Sequence, residues 1–128
     1  MSTIRPKTLP DLHHFTGTEN WWKYPYSRFT YTDGIKHVAE KAKAYWLLDV
    51  IFSHAANITK QERHNTDQRL FMVFNLKVNP DDSAVFTAED GNGNVFDYAR
   101  QEIGYTDFPA KSFKCYLTDN VCMLPSEY

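Results

Sequence analysis

The sequence has no apolar run near the roughly 18 residues that a membrane-spanning helix requires. Its first twelve residues hold Arg5, Lys7 and two prolines but no apolar stretch of the secretory type. These two absences predict a cytoplasmic protein. Cysteine is scarce. Cys115 and Cys122 are the only two, too few for a disulfide framework. There is no G-x-S-x-G, so no nucleophile elbow is announced. No cysteine or histidine pair has zinc-ligand spacing, His13-His14 included. Gly91-x-Gly93 lacks the helix and lysine that complete a phosphate loop. No metal, cofactor or catalytic residue is therefore expected. A cysteine–histidine pair drawn from distant positions stays open, but both cysteines fall on a predicted core face, where thiols are inert.

What the sequence has in surplus is aromatic side chains. Nine Phe, eight Tyr and three Trp make 16% of 128 residues, more than one small core needs. Some rings must be exposed, and exposed rings are frequent binding anchors. Charge is uneven. Residues 1–64 carry nine Lys/Arg and six Asp/Glu, and residues 65–128 carry five and ten. If the second half forms one sheet, its exposed face is acidic. Such a face repels nucleic acid and attracts a basic protein.

The length suits a single domain, residues 1–128, with no repeat and no internal boundary. Residues 1–12 read as a flexible arm and 13–26 as an aromatic loop. Thr32 or Asp33 offers an N-cap for a helical unit over 34–56. Ile35, Val38, Ala39 and Ala42 form its stripe, and residues 45–52 are apolar nearly all round. A break near 41–43 would give two short helices in place of one long one. Residues 57–68 read as a mobile polar loop. The period then changes to two, predicting strands at 70–78, 85–89, 95–100, 113–117 and 121–124. The expected architecture is α+β: one helical unit on an antiparallel meander of about five to six strands. The middle hairpin should set Phe86 opposite Tyr98 and Ala88 opposite Phe96. The last should pair Leu117 with Cys122 across Asp119-Asn120, leaving the cysteines diagonal and reduced. Trp46, Leu47, Val50, Ile51, Phe74, Phe86, Phe96, Tyr98 and Leu117 should share one core.

Two carboxylates attract chemical readings. Asp90-x-Asn92-x-Asn94 resembles the start of a calcium loop, but Val95 stands where the sharp turn needs glycine. A plain turn explains every residue there. Asp49 interrupts the apolar run, so it is half-exposed or buried and paired. The best binding candidate is the segment 17–24, with Glu19, Trp21, Trp22, Lys23 and Tyr24, joined by Tyr26 and with Arg28 nearby. Adjacent tryptophans cannot both point inward from a strand, so one is expected in the core and one on the surface. These rings could stack a base or grip a protein, or simply lid the sheet. A second candidate surface is the acidic sheet around Asp81, Asp82, Glu89 and Asp97.

Several segments, in order, carry a likeness: Phe15-Thr16-Gly17-Thr18-Glu19, Tyr31-Thr32-Asp33-Gly34, Ala44-Tyr45-Trp46-Leu47-Leu48-Asp49, Glu89-Asp90-Gly91-Asn92-Gly93-Asn94-Val95, Thr106-Asp107-Phe108-Pro109 and Leu124-Pro125-Ser126-Glu127-Tyr128. On these the chain resembles an uncharacterised family of small bacterial proteins common on plasmids, phages and other mobile elements. It departs from that pattern by a longer polar loop at 57–68 and by Lys43 where relatives have glycine. The resemblance implies no activity. It implies a setting in which small proteins often antagonise host defence, as inhibitors of CRISPR effectors do. The leading expectation is a non-catalytic interaction protein that occludes a host protein, such as a nucleic-acid-handling effector. The alternatives are a single-stranded nucleic-acid binder using Trp21, Trp22, Tyr24 and Lys23, and a small enzyme with Asp33, Asp49 or Asp107 as acid–base groups.

Overall fold

The computed structural model describes residues 20–62 and 71–128. The predicted arm at 1–12 and the second half of the predicted loop at 57–68 lie outside them. The described elements run β1 (Trp21–Lys23), β2 (Thr30–Thr32), α1 (Asp33–Lys41), α2 (Tyr45–Gln61), β3 (Met72–Val78), β4 (Ala84–Glu89), β5 (Gln101–Ile103), β6 (Ser112–Thr118) and β7 (Val121–Met123). The fold is α+β as expected, but the sheet is larger and mixed. Seven strands lie in the order β1-β2-β7-β6-β3-β4-β5. All neighbours are antiparallel except β2 and β7, which run parallel. A pure meander is therefore corrected. Strands of three residues, such as β1 and β2, are too short to display a period of two. A parallel partner distant in sequence leaves no turn to announce it.

The helical unit is two helices. The Thr32 side chain accepts from the Ile35 amide and caps α1. At the other end Lys43 adopts φ +52°. The Ala44 amide reaches back to the Ala39 carbonyl at 2.8 Å and the Lys43 amide to Glu40 at 3.3 Å. This is a Schellman ending, built at a position that glycine would occupy without steric cost. A lysine there explains why the break was only half visible. Helix α2 then runs to Gln61, because Ala55 and Ile58 continue its buried stripe. The predicted loop start at 57 is thus corrected, because residues 57–61 belong to α2.

Both helices cover one face of the sheet. Phe74, Leu76 and Val78 of β3, Phe86 and Ala88 of β4, and Phe113, Cys115 and Leu117 of β6 point to that face and join Leu47, Ile51, Phe52 and Ile58 in one core. Trp46 and Val50 sit half-buried at its rim, Trp46 edge-on to Phe108 with centroids 6.4 Å apart. The opposite face carries the alternate side chains, among them Lys77, Lys114 and Tyr116, with no helix of the described residues over it.

The middle hairpin starts as expected. Glu89 bridges Val95, and the Phe96 amide donates to Ala88 at 2.9 Å. A 3-10 turn at Asp97–Ala99 then inserts extra residues, and Gln101, not Tyr98, stands opposite Phe86. The turn buries the small Ala99 and leaves Tyr98 43% exposed, its hydroxyl donating to Glu62 at 3.2 Å. Tyr98 is thus removed from the predicted core.

The last hairpin keeps its predicted register, Leu117 against Cys122, with Asp119 and Asn120 both left-handed. Cys115 and Cys122 are free thiols and buried. Burial, then the neighbouring Cys115, pushes the Cys122 thiol well above its usual range. Neither thiol should react with an alkylating reagent in the native state, and both should react on unfolding. Rapid labelling of the folded protein, read by mass, would contradict this burial.

Candidate functional site: an aromatic hairpin at the sheet edge

Strands β1 and β2 form a hairpin at one edge of the sheet, with Trp21 opposite Thr32, Trp22 opposite Tyr31 and Lys23 opposite Thr30. The segment expected as loop therefore contains a strand. Its turn is closed by the Tyr24 amide donating to Phe29 at 2.9 Å. The Ser27 hydroxyl donates to the Tyr24 carbonyl at 2.8 Å and accepts from the Phe29 amide at 3.0 Å. At the tip Tyr26 is left-handed, with φ +58°, and fully exposed.

Neither tryptophan enters the core. Trp21 is 58% exposed and Trp22 39%. The alternation of side chains holds, but β1 is an outermost strand and its inner side overhangs the start of α1. There the Trp22 indole donates to Asp33 at 2.9 Å, and the Lys36 ammonium stands 4.5 Å from the Trp22 ring centroid. Asn20 donates to the other Asp33 oxygen at 3.4 Å.

Tyr24, two residues on, is fixed in the same manner against α2. Its ring packs on Phe52 with centroids 4.6 Å apart, and its hydroxyl donates to Asp49. Asp49 is exposed and paired, which fits the first half of its predicted alternatives. The hydrogen bond to Asp49, then burial, then the Asp49 charge push the Tyr24 hydroxyl up to about 12. A phenol that holds its proton more tightly when folded stabilises the fold below the unfolded value near 10. That contribution is lost as pH rises through 10 to 12. Tyr24→Phe should remove part of the alkaline unfolding transition, measured by circular dichroism across that range. An identical alkaline profile in the variant would show that the Asp49 contact carries no weight.

Trp21 and Tyr26 are thus left as unpinned rings, with Lys23 and Arg28 between them. Lys23, Tyr26, Ser27, Arg28, Phe29 and Ala56 line a shallow hollow of about 470 Å³. The Arg28 guanidinium lies 5.6 Å from the Phe29 ring centroid. Glu19 lies outside the described residues.

The acidic candidates do not gather. Asp81 and Asp82 occupy the β3–β4 turn, and Glu89 ends β4, a six-residue strand. They lie roughly 20 Å apart along it. The Ser83 hydroxyl and amide hold the Asp81 carboxyl below its usual range, so it serves its own turn. Asp97 starts the 3-10 turn beyond. By register the face away from the helices carries Lys77 and Lys114 beside Glu89 and Glu102. The predicted acidic face is not formed. The Asp90 carboxylate accepts from the amides of Asn92 and Asn94, at 2.8 and 3.2 Å, and from the Asn94 side chain at 2.8 Å. Those bonds serve the turn between Gly91 and Gly93. The proposed acid–base set is divided: Asp33 serves Trp22, Asp49 serves Tyr24, and Asp107 stands on the β5–β6 connection.

One residue was missed altogether. Glu127 accepts from the Thr32 hydroxyl at 2.7 Å, the Leu124 amide at 2.9 Å and the Gly34 amide at 3.3 Å. It ties the chain end to the start of α1, directly behind the hairpin. Its only sequence signal was that both segments belong to the likeness.

The geometry describes a helix-covered mixed sheet that displays rings from a braced edge hairpin. Residues 6–128 match the family of unknown function DUF6876, and the chain belongs to that family. Comparison with curated proteins and with solved structures finds no match.

Proposed function

We propose that this chain is a non-catalytic interaction module that docks a protein partner through the β1–β2 hairpin. The observation that carries this reading is the division of labour among four neighbouring rings. Trp22 and Tyr24 are pinned by Asp33 and Asp49, while Trp21 and Tyr26 stand in solvent. Pinning removes motion from the hairpin before any partner arrives, so less conformational entropy is lost on binding. Rings also offer large contact area for few frozen torsions. The carboxylates beneath Trp22 and Tyr24 disfavour a phosphate chain on that side and favour a protein.

The mobile-element setting implied by the resemblance makes a host defence protein, such as a nucleic-acid-handling effector, the partner class to test first, with occlusion as the mode of action. Trp21→Ala with Tyr26→Ala should weaken the complex by about 2 kcal/mol or more. The melting temperature should stay near wild type, since neither ring packs in the core. Affinity measured by calorimetry against the captured partner decides. Equal affinity of variant and wild type would reduce the hairpin to a structural lid.

A further inference from the structure

We propose that the helix-free face of the sheet binds single-stranded nucleic acid, with Tyr128 and Tyr116 stacking bases and Lys77, Lys111 and Lys114 holding phosphates. The sequence pointed the other way, since the second half of the chain is acidic overall. The register sorts those charges. On β3 and β6, Asn75 stands opposite Lys114 and Lys77 opposite Ser112. These four side chains alternate away from the core and surround a hollow of about 520 Å³ that Lys111 also lines. No carboxylate of the described residues lines it. All three lysines are exposed, and none is in an ion pair within the described residues. The nearest acid on this face toward β5 is Glu102, held by Arg100 at 3.1 Å. Glu89 stands opposite Val73, toward the other end of β3 from Lys77.

One strand step from Lys114 lies Tyr116, on the same face. Its ring meets Tyr128 at 5.6 Å and 90°, and Phe71 at 5.2 Å. Phe71 in turn meets Tyr128 at 5.3 Å, edge to face. The three rings brace one another, and Tyr128 remains 74% exposed. A fixed ring beside a row of ammonium groups on an open sheet is the arrangement that splayed bases and a phosphate backbone require. A duplex suits it poorly. Its bases are already stacked, and among the described residues this face presents no helix or ribbon to enter a groove.

The test is fluorescence anisotropy with labelled oligothymidylate and oligouridylate of about 12 nucleotides, the matching duplex, and polyglutamate as competitor. The expected result is binding of the single strands that falls linearly on a log–log salt plot. The double variant Lys77→Gln/Lys114→Gln should make that slope shallower by about 1.4. Tyr128→Ala should weaken binding at least about fivefold. Trp21→Ala should leave it unchanged, which separates this face from the hairpin. Melting curves confirm that the variants fold. The proposal is overturned by no binding at low salt, by an unchanged slope in the double lysine variant, or by equal affinity for the duplex. Equal competition by polyglutamate overturns it too, in favour of an acidic protein partner.

Discussion

Replacing Phe52 with alanine should cost about 3–5 kcal/mol, a large part of a total that for such domains is about 5–15 kcal/mol. Phe52 is fully buried in α2. Its ring meets Tyr24 at 4.6 Å, Phe29 at 5.3 Å and Tyr31 at 6.2 Å. Those three residues come from the hairpin, so Phe52 is the point where β1 and β2 are held against the helices. Loss of the ring leaves a cavity beneath the hairpin, not merely a thinner core. Two readouts should therefore move together. Urea unfolding should show the lower stability, and the fluorescence of Trp21 and Trp22 should report a loosened hairpin before global unfolding. Partner affinity should fall as well, although Phe52 touches no partner. An unchanged unfolding midpoint would sink the assignment of Phe52 as the anchor.

Much of the fold was legible because hydrophobic periodicity and turn chemistry are local signals. The stripe at Ile35, Val38 and Ala39 gave α1, and Asp119-Asn120 gave the last hairpin in the correct register. Apart from the last turn of α2, the misses are non-local or too short to carry a period. β1 and β2 have three residues each, and their identity depends on β7, ninety-one residues later for Thr30 against Val121. The Phe86–Tyr98 pairing failed because an inserted 3-10 turn has no signature that distinguishes it from a continuing strand. One of Trp21 and Trp22 was expected in the core and the other on the surface, and neither is buried. Alternation was the right rule, but it could not show that β1 would be an edge. The aromatic segment was legible as a site from composition, while the bonds that pin Trp22 and Tyr24 were not. The acidic bias was real in sequence and dispersed in space, because Asp81 lies in the turn before β4 and Glu89 at its far end.

The contact least visible in sequence should be among the most costly to break. Glu127 and Gly34 are ninety-three positions apart, yet the Gly34 amide donates to the Glu127 carboxylate. The same carboxylate accepts from Thr32, a residue only 1% exposed that also caps α1. Glu127→Ala removes three acceptor contacts at once, from a buried hydroxyl and two backbone amides. It should cost about 2–4 kcal/mol, since bonds to a charged group are worth more than neutral ones. Gly34 is small for a matching reason. A methyl group there would lie 2.6 Å from both the Glu127 carboxylate and the Leu124 side chain. Gly34→Ala should therefore cost about 1–3 kcal/mol by overpacking. The two effects share one contact and cannot be independent. In the Glu127→Ala background the added methyl meets only Leu124, so its cost should drop by at least about 0.5 kcal/mol. Urea unfolding of wild type, both single variants and the double variant closes the cycle. Strict additivity would mean that the C-terminal segment does not clasp α1, and the hairpin would then lack the support behind it.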